Sequence, residues 1–168
     1  MMNVISNTTV ISNFAAINQL ELLRQLYGIV YLPTEVYAEI KAGLEEGYLF
    51  YHPLLDLIAA NDWLCLVSLA SEEELSYFRS FPNHLHQGET ACLAIAKTRG
   101  WLLLTDDKPA RQEATRLGVA ISGSLGCLVL AIERNVCSLT LANQWLLRMI
   151  EQGYRSPVTD LTPLLKTL

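Results

Sequence analysis

The stretch GETACLAIAKTRGWLLLTDDKPARQEATRLGVAIS, residues 88–122, decides the fold class of this chain. Two helical patterns, 88–100 and 108–118, each end at a glycine, and each is followed by a short apolar run, 101–105 and then 119–122. A glycine that follows a helical pattern is a typical helix stop. Unbroken apolar runs between helices are typical of parallel strands that are buried on both faces. The stretch therefore predicts helix, strand, helix and strand, with both strands in one parallel sheet.

The same alternation extends outward to both ends of the chain. Further strands are predicted by three short apolar runs, at 3–6, 28–33 and 63–68. Further helices are predicted by apolar spacing and by caps, over 10–17, 20–27, 33–46, 52–62, 71–78, 123–135 and 138–153. No repeat, low-complexity tract or linker interrupts the pattern. We therefore expect one α/β domain over 1–168, with a parallel sheet covered by helices on both faces.

Composition limits the class of protein. The chain has 168 residues, of which 51% are hydrophobic and 17% charged, and this suits one domain with a sizeable core. No uncharged apolar run is long enough to cross a membrane, and the N-terminus lacks a signal-peptide pattern, so we expect a soluble, cytoplasmic protein without a membrane partner. Four cysteines lie among apolar neighbours without CxxC spacing, which favours buried, reduced thiols over disulfides or a zinc site. They are Cys65, Cys92, Cys127 and Cys137.

Charge is unevenly distributed along the chain. The net charge of −5 argues against a tight, free-standing nucleic-acid binder. Residues 1–90 carry three Lys/Arg against eleven Asp/Glu, whereas residues 91–168 carry nine against six. Five basic residues fall within 97–116, which indicates either a local basic patch or an ordinary solvated helix face. Charge alone favours the solvated face.

The predicted sheet directs attention to the carboxyl ends of its strands, where ligands bind in open parallel sheets. No G-x-G-x-x-G follows the first strand and no G-x-x-x-x-G-K-[ST] is present, so neither a dinucleotide site nor a P-loop is expected. Polar residues do follow three of the strands. They are Asn7 and Thr9 after the first, Asp106 and Asp107 after 101–105, and Ser124 after 119–122.

Two further carboxylates lie on predicted helices. Glu89 shares the inward face of its helix with Leu93, although an acid in a first turn is also a favourable partner of the helix dipole. Glu39 borders the apolar stripe of its helix, whereas Glu35 points outward and is expected to be solvated. Clustered carboxylates are costly unless a cation neutralises them, and oxygen ligands suit Mg²⁺ or Mn²⁺. The hypothetical cluster contains Asn7, Glu39, Glu89 and Asp106 or Asp107.

Four segments in order carry a resemblance to a known family. They are VISNTTVISNFAAINQLELL (4–23), YLPTEVYAEI (31–40), GETACLAIAKTRGWLLLTDDKPAR (88–111) and GVAISGSLGCLVLAIERN (118–135). The chain resembles PIN domains, most closely the prokaryotic subgroup related to toxins of toxin–antitoxin pairs. The resemblance implies a three-layer α/β/α fold with a short central parallel sheet. It also implies a nuclease that depends on Mg²⁺ or Mn²⁺ and acts mostly on RNA.

The resemblance also implies roles for the cluster. Metal ligands would be Asn7, Glu39, Glu89 and Asp107, with Asp106 as the alternative to Asp107. The catalytic residues would be Glu39, Glu89, Asp107 and Asp106. Asn7 stands where the family commonly has its first aspartate. An amide oxygen can bind a hard cation but brings no charge, so metal binding is expected to be weak, or to occur only together with substrate phosphate.

Residues around the cluster would contact substrate. Lys108 and Arg111 would bind flanking phosphates, with Thr9 and Ser124 as polar contacts. His84 and His86 are expected to be solvent-exposed. Trp63, Trp101 and Trp145 are expected in the core or at its rim.

Two classes of function remain open from the sequence. One is a metal-dependent ribonuclease of toxin type, and the other is a PIN-like protein that binds RNA or a protein partner without cutting. RNA and an antitoxin-like protein are the expected partners. A homodimer is also expected, because the apolar content exceeds the need of one sheet.

Overall fold

Five parallel strands form the centre of the computed structural model, which describes residues 2–166. The strands are β1 (Val4–Ser6), β2 (Val30–Pro33), β3 (Leu64–Val67), β4 (Leu102–Leu104) and β5 (Ile121–Ser122). Their order in the sheet is β3-β2-β1-β4-β5, and every neighbouring pair is parallel. All five predicted strands are therefore present, and the parallel arrangement is confirmed.

Helices connect the strands at nearly the predicted positions. They are α1 (Thr8–Ala16), α2 (Leu20–Tyr27), α3 (Thr34–Glu45), α4 (His52–Ala60), α5 (Glu72–Ser80), α6 (Gln87–Arg99), α7 (Lys108–Leu117), α8 (Ser124–Glu133) and α9 (Leu139–Glu151). Two 3₁₀ turns, Leu49–Tyr51 and Thr162–Leu164, were not predicted.

Helix α6 is the centre of one helical layer. It packs against β1, β2 and β4 and contacts α5, α7 and α3. Nine consecutive residues of α6, from Gly88 to Ala96, are buried, because the helix is covered by the sheet and by its helical neighbours. On the other side, α1 contacts α2, α8 and α9. The α/β/α architecture with a short central parallel sheet is confirmed.

Local sequence signals explain the helix ends. The Ser71 side chain caps α5 and the Ser138 side chain caps α9, each by accepting a backbone N–H of the first turn. Gly100 and Gly118 end α6 and α7 with φ of 68° and 73°, a left-handed conformation that glycine adopts without a steric penalty.

Helix α1 begins two residues earlier than predicted. Asn7 is its N-cap, since its side-chain oxygen accepts the backbone N–H of Thr9 at 3.1 Å. The polar corner that follows β1 is therefore, in the first place, a helix cap. It brings α1 directly to the carboxyl end of the sheet.

The cysteine prediction is half right. Cys92 and Cys127 are buried, but Cys65 and Cys137 are only half-buried; all four are free thiols. Cys65 lies on β3 at the edge of the sheet, and Cys137 lies in the loop after α8, so neither position is covered on all sides.

The remaining background predictions agree with the structure. Trp63 and Trp145 are buried, and Trp101 is half-buried beside the Tyr31 ring. His84 and His86 are exposed. Between residues 2 and 166, no helix is both long enough and apolar enough to span a membrane.

Candidate functional site

The candidate site lies where the two central strands end. β1 pairs with β4 in a register that places Ser6 beside Leu104, so the residues that follow each strand are neighbours. The backbone N–H of Asn7 donates to Leu104 O at 3.2 Å, which continues this pairing past the end of β1. Asn7 therefore meets the segment Thr105–Asp107 at the carboxyl edge of the sheet.

The Asn7 amide uses both of its ends. Its Oδ1 accepts from the backbone N–H of Thr9 at 3.1 Å and from Thr9 Oγ1 at 2.7 Å. Its Nδ2 donates to Thr105 Oγ1 at 2.6 Å, and the residue is 2% exposed. A carboxylate has no donor for Thr105, so the amide suits this buried corner as it stands.

The two threonine hydroxyls that bond to the Asn7 side chain also accept backbone N–H groups of the two aspartates. Thr9 Oγ1 accepts the backbone N–H of Asp106 at 2.9 Å. Thr105 Oγ1 accepts the backbone N–H of Asp107 at 3.1 Å. Asn7 thus fixes the backbone of the Asp106–Asp107 pair from across the sheet.

The Asp106 carboxylate accepts three hydrogen bonds from neutral donors. Its Oδ1 accepts from Ser124 N at 2.8 Å, and its Oδ2 accepts from Ser124 Oγ at 2.5 Å and from Asn13 Nδ2 at 3.0 Å. Ser124 is fully buried. Gly123 leaves the space for this arrangement, since a Cβ there would overlap Asp106 Oδ1. Asp106 therefore faces α1 and α8.

Asp107 faces the other helical layer. Its Oδ2 caps α7 by accepting the backbone N–H of Ala110 at 3.0 Å. Its charge is, after burial, the largest influence that raises the pKa of Glu89 on α6. The two consecutive aspartates, which the sequence left interchangeable, thus bind different helices: Asp106 binds α1 and α8, whereas Asp107 caps α7.

Glu89 is a buried acid among like charges. It is 8% exposed, and its Oε2 accepts the backbone N–H of His86 at 3.1 Å. Burial, followed by the charge of Asp107 and to a smaller extent that of Glu39, raises the pKa of Glu89 to about 7. The hydrogen bond from His86 opposes this shift without cancelling it.

Glu39 reaches the same place from α3. Its Oε2 accepts from Thr8 Oγ1 at 2.5 Å, and its Oε1 accepts the backbone N–H of Gly88 at 3.1 Å. Glycine at position 88 allows this close approach, because a Cβ there would lie 2.5 Å from Glu39 Oε1 and would displace the carboxylate. Neither the Thr8 contact nor the Gly88 contact was predicted from the sequence, although both residues adjoin predicted site residues.

Comparison with known proteins assigns the family. The family model described as "DUF3368: PIN domain" matches residues 3–168. The chain belongs to this PIN-domain family. No curated protein matches it. Membership indicates a nuclease-type function, and PIN domains generally use divalent metal ions.

The donor chemistry of this PIN domain suits such an ion. Glu39, Glu89 and Asp107 supply carboxylate oxygens, and no lysine or arginine within residues 2–166 forms a salt bridge with them. Their side chains are held by protein donors, and nowhere in that range are three or more His, Cys, Asp or Glu residues arranged to hold a metal ion. The carboxylate oxygens are therefore suitable ligands for a hard cation. To bind an ion, the three side chains would have to give up some of their hydrogen bonds to protein donors.

The basic residues of the PIN domain divide into two groups. Lys97, Arg99 and Arg116 bind protein acceptors away from the site, namely a helix end and two glutamates. Lys108 is exposed beside Asp107, and Arg111 Nη1 donates to Thr105 O at 2.8 Å. Only the second group borders the carboxyl edge of the sheet, so the solvated-face interpretation holds for part of the basic segment.

Proposed function

We propose that this PIN domain is a metal-dependent endoribonuclease that hydrolyses RNA phosphodiester bonds. The observation that carries the proposal is that Glu39, Glu89 and Asp107 are each held by protein donors at the carboxyl edge of the sheet, where burial and then the charge of Asp107 raise the pKa of Glu89 to about 7. Perturbed carboxylates of this kind are concentrated at functional sites. Bound Mg²⁺ or Mn²⁺ would neutralise the carboxylates and activate water for attack on phosphorus.

Each carboxylate contributes differently. Glu89 has a raised pKa in the metal-free protein, and a bound cation would favour its ionised form, in which it would act as a carboxylate ligand. Glu39 is oriented by Thr8 and Gly88, and its carboxylate is therefore positioned before substrate arrives. Asp107 is fixed by its cap on α7, and its charge raises the pKa of Glu89 more than the charge of any other group does.

Asn7 and Asp106 would contribute to the site mainly through the residues that they position. Asn7 would be a neutral and weak ligand, because an ion would compete with Thr9 for its Oδ1. Asp106 would shape the edge of the site, with Ser124 as the residue that holds its carboxylate.

Basic side chains next to the carboxylates would bind the RNA backbone. Lys108 and Arg111 follow the aspartates on α7 and would contact phosphates that flank the scissile bond. Such contacts give affinity that falls as salt rises. Thr9, half-buried at the start of α1, would add a polar contact.

A second candidate is a PIN domain that binds RNA or a protein partner without cutting. One observation favours it: the oxygens of Asn7 and Asp106 are committed to protein donors, and the described residues contain no arranged group of three acidic, histidine or cysteine ligands. An antitoxin-like protein would be the partner if the chain acts as a toxin in the cytoplasm.

Self-association belongs to the same proposal. Leu141 and Leu147 on α9 are 38% and 46% exposed, so this helix retains apolar surface that a second copy could cover. Sedimentation at tens of micromolar tests this, and a monomer at that concentration would count against it.

The activity is tested by cleavage of a labelled RNA with Mn²⁺, with Mg²⁺ and with chelator. Glu39→Gln should abolish chelator-sensitive cleavage, whereas Glu35→Gln, one turn earlier on the same helix, should not. Glu35 is the matched control because its carboxylate has only an exposed hydrogen bond with Thr34. Equal activity in the two variants would remove Glu39 from the site. A wild-type protein that cuts no RNA under any metal condition would leave the non-cutting candidate.

A further inference from the structure

A cavity lies beside Asp106, and neither Glu39, Glu89 nor Asp107 lines it. Its volume is about 510 Å³. It is formed between α7, the start of α8 and the segment that follows α9. Three of its lining residues are basic: Lys108, Arg111 and Arg155.

The cavity is positively charged although the protein is negatively charged. Asp106 is its only acidic lining residue, against the three cations, while the whole chain carries a net charge of −5. The Asp106 carboxylate accepts three hydrogen bonds from Ser124 and Asn13, and no lysine or arginine of residues 2–166 forms a salt bridge with it. Arg111 Nη1 donates to Thr105 O, whereas Lys108 and Arg155 are exposed, so the excess of positive charge in the lining favours an anion.

The shape of the cavity suits more than a free anion. Leu125, Tyr154 and Pro157 add apolar wall next to the basic side chains. The pKa of Tyr154 is raised by burial, so its hydroxyl stays neutral at physiological pH and adds no negative charge. A nucleotide unit has the same division into an anionic phosphate and a flatter, less polar sugar and base.

The cavity also continues toward the carboxylate site. An adjoining cavity of about 450 Å³ shares Asp106, Lys108, Tyr154 and Arg155 with the first and reaches Thr9 and Asp107. A strand that occupied both would pass from Arg155, past Lys108, to Asp107. Neither Tyr154 nor Arg155 carries a sequence motif, and their position follows from the path of the chain after α9.

We propose that Lys108, Arg111 and Arg155 form a phosphate-binding subsite that holds an RNA strand one step away from the proposed cleavage position. The subsite rests on the proposed function for its substrate, but binding can be measured without cleavage. Its ligand is a phosphate group, either an internal diester or a terminal monoester of the strand.

The test uses a fluorescein-labelled eight-nucleotide RNA and fluorescence anisotropy in chelator at low salt. Arg155→Gln and Lys108→Gln each remove one lining charge, and both residues are exposed, so the fold should persist. Arg116→Gln is the control, because it removes the same charge from α7 at a residue that pairs with Glu113 instead. Each lining variant should weaken binding about threefold to tenfold, and should reduce the slope of log affinity against log salt by about 0.7. Arg116→Gln should bind like the wild type.

The form of the phosphate is distinguished by probes with and without a 5′-phosphate. Dependence on Arg155 only with the phosphorylated probe identifies a terminal monoester, and equal dependence identifies an internal diester. Lining variants that bind like Arg116→Gln would overturn the subsite, as would a wild-type protein that does not bind the RNA. Intact cleavage with Arg155-independent binding would reject the subsite but keep the nuclease. RNA binding that depends on Arg155, in a protein that does not cleave RNA, would support the subsite and reject the nuclease.

Discussion

Two buried glutamates of this PIN domain have the same local structure and opposite chemistry. Glu74 and Glu89 each occupy the third position of a helix, on α5 and α6, and each completes a capping box with the residue before the helix. They are 3% and 8% exposed. Local sequence and burial alone would therefore give them the same role.

Their partners make the difference. Arg99 Nε donates to Glu74 Oε1 at 2.6 Å, and this ion pair, with two backbone N–H donors, lowers the Glu74 pKa to about 2. Glu89 forms no salt bridge with a lysine or arginine of residues 2–166. Burial, followed by the charge of Asp107, raises its pKa to about 7, although His86 acts in the opposite direction. A carboxylate that the fold uses for stability is supplied with a cation, whereas the coupled acids at the carboxyl edge of the sheet lack one. That difference supports the proposal that the second group forms the functional site.

The strongest test of this comparison is loss of activity at the uncompensated acids. Asp107→Asn and Glu89→Gln should each reduce the metal-dependent cleavage rate by about 100-fold or more, since replacement of an outer-shell partner alone can cost that much. Glu74→Gln should leave the rate per folded molecule unchanged. Single-turnover cleavage of labelled RNA, normalised to the folded fraction by circular dichroism, measures both. A Glu74→Gln loss equal to that of Glu89→Gln would erase the distinction.

Stability should show the reverse order. Glu74→Gln leaves Arg99 without its acid and should lower the free energy of unfolding by about 2 kcal/mol. The loss is smaller than for a fully buried pair because the Arg99 side chain is 27% exposed. Glu89→Gln should not destabilise the metal-free protein at pH 8, because it removes a buried charge among like charges. Urea unfolding of the three proteins in chelator provides the measurement, and a destabilised Glu89→Gln would contradict it.

The pH dependence of stability should separate the two acids. Glu74, with a lowered pKa, contributes stability that is present above about pH 4.5 and is lost as pH falls toward 2. Glu89, with a raised pKa, contributes stability that is present below about pH 4.5 and is lost as pH rises through 7.

The Glu89 contribution is accessible near neutral pH. In chelator, the wild type should lose on the order of 1–2 kcal/mol between pH 5 and 8 relative to Glu89→Gln. Saturating Mn²⁺ should reduce that loss, because a cation favours the ionised form. Urea midpoints at several pH values test this, and parallel curves for the two proteins in chelator would show that Glu89 does not titrate in this range.

The sheet was predictable from sequence because its strands are unbroken apolar runs between capped helices. The start of α1 was not predictable in the same way. An asparagine at the end of a strand suits both a metal ligand and a helix N-cap, and the sequence alone does not distinguish the two roles. The turn Leu49–Tyr51 was missed because three residues carry no periodic pattern.

The site was predictable only as a set of residue types. The sequence could bring Glu39 and Glu89 to the same edge of the sheet, but the direction of Asp106 and Asp107 depends on how the chain leaves β4. The hydrogen bonding of Asp106 depends on Asn13 and Ser124, from two other helices. Arg155 joins the edge only through the packing of the segment after α9, which no spacing in the sequence encodes.

The smallest expected effect concerns the amide at position 7. In Asn7→Asp, one carboxylate oxygen can keep both Thr9 bonds, and the Thr105 hydroxyl can rotate to donate to the other oxygen. The Thr105 bond to Asp107 N–H can also persist, so the corner should keep its geometry. The new charge is 2% exposed and adds to a group of acids without a cation.

Asn7→Asp should therefore lower stability by about 1 kcal/mol in chelator and bind Mn²⁺ or Mg²⁺ a few-fold more tightly than the wild type, with a matching rise in cleavage rate. Calorimetric titration and urea unfolding, with and without metal, measure both effects. Recovery of stability in metal would show that position 7 faces the ion. A stability loss that metal does not reverse, with unchanged affinity, would show that position 7 only fastens β1 to the segment after β4. The amide would then have a structural role, between the three acids that are proposed to bind a cation, Glu39, Glu89 and Asp107, and Asp106, for which no such role is proposed.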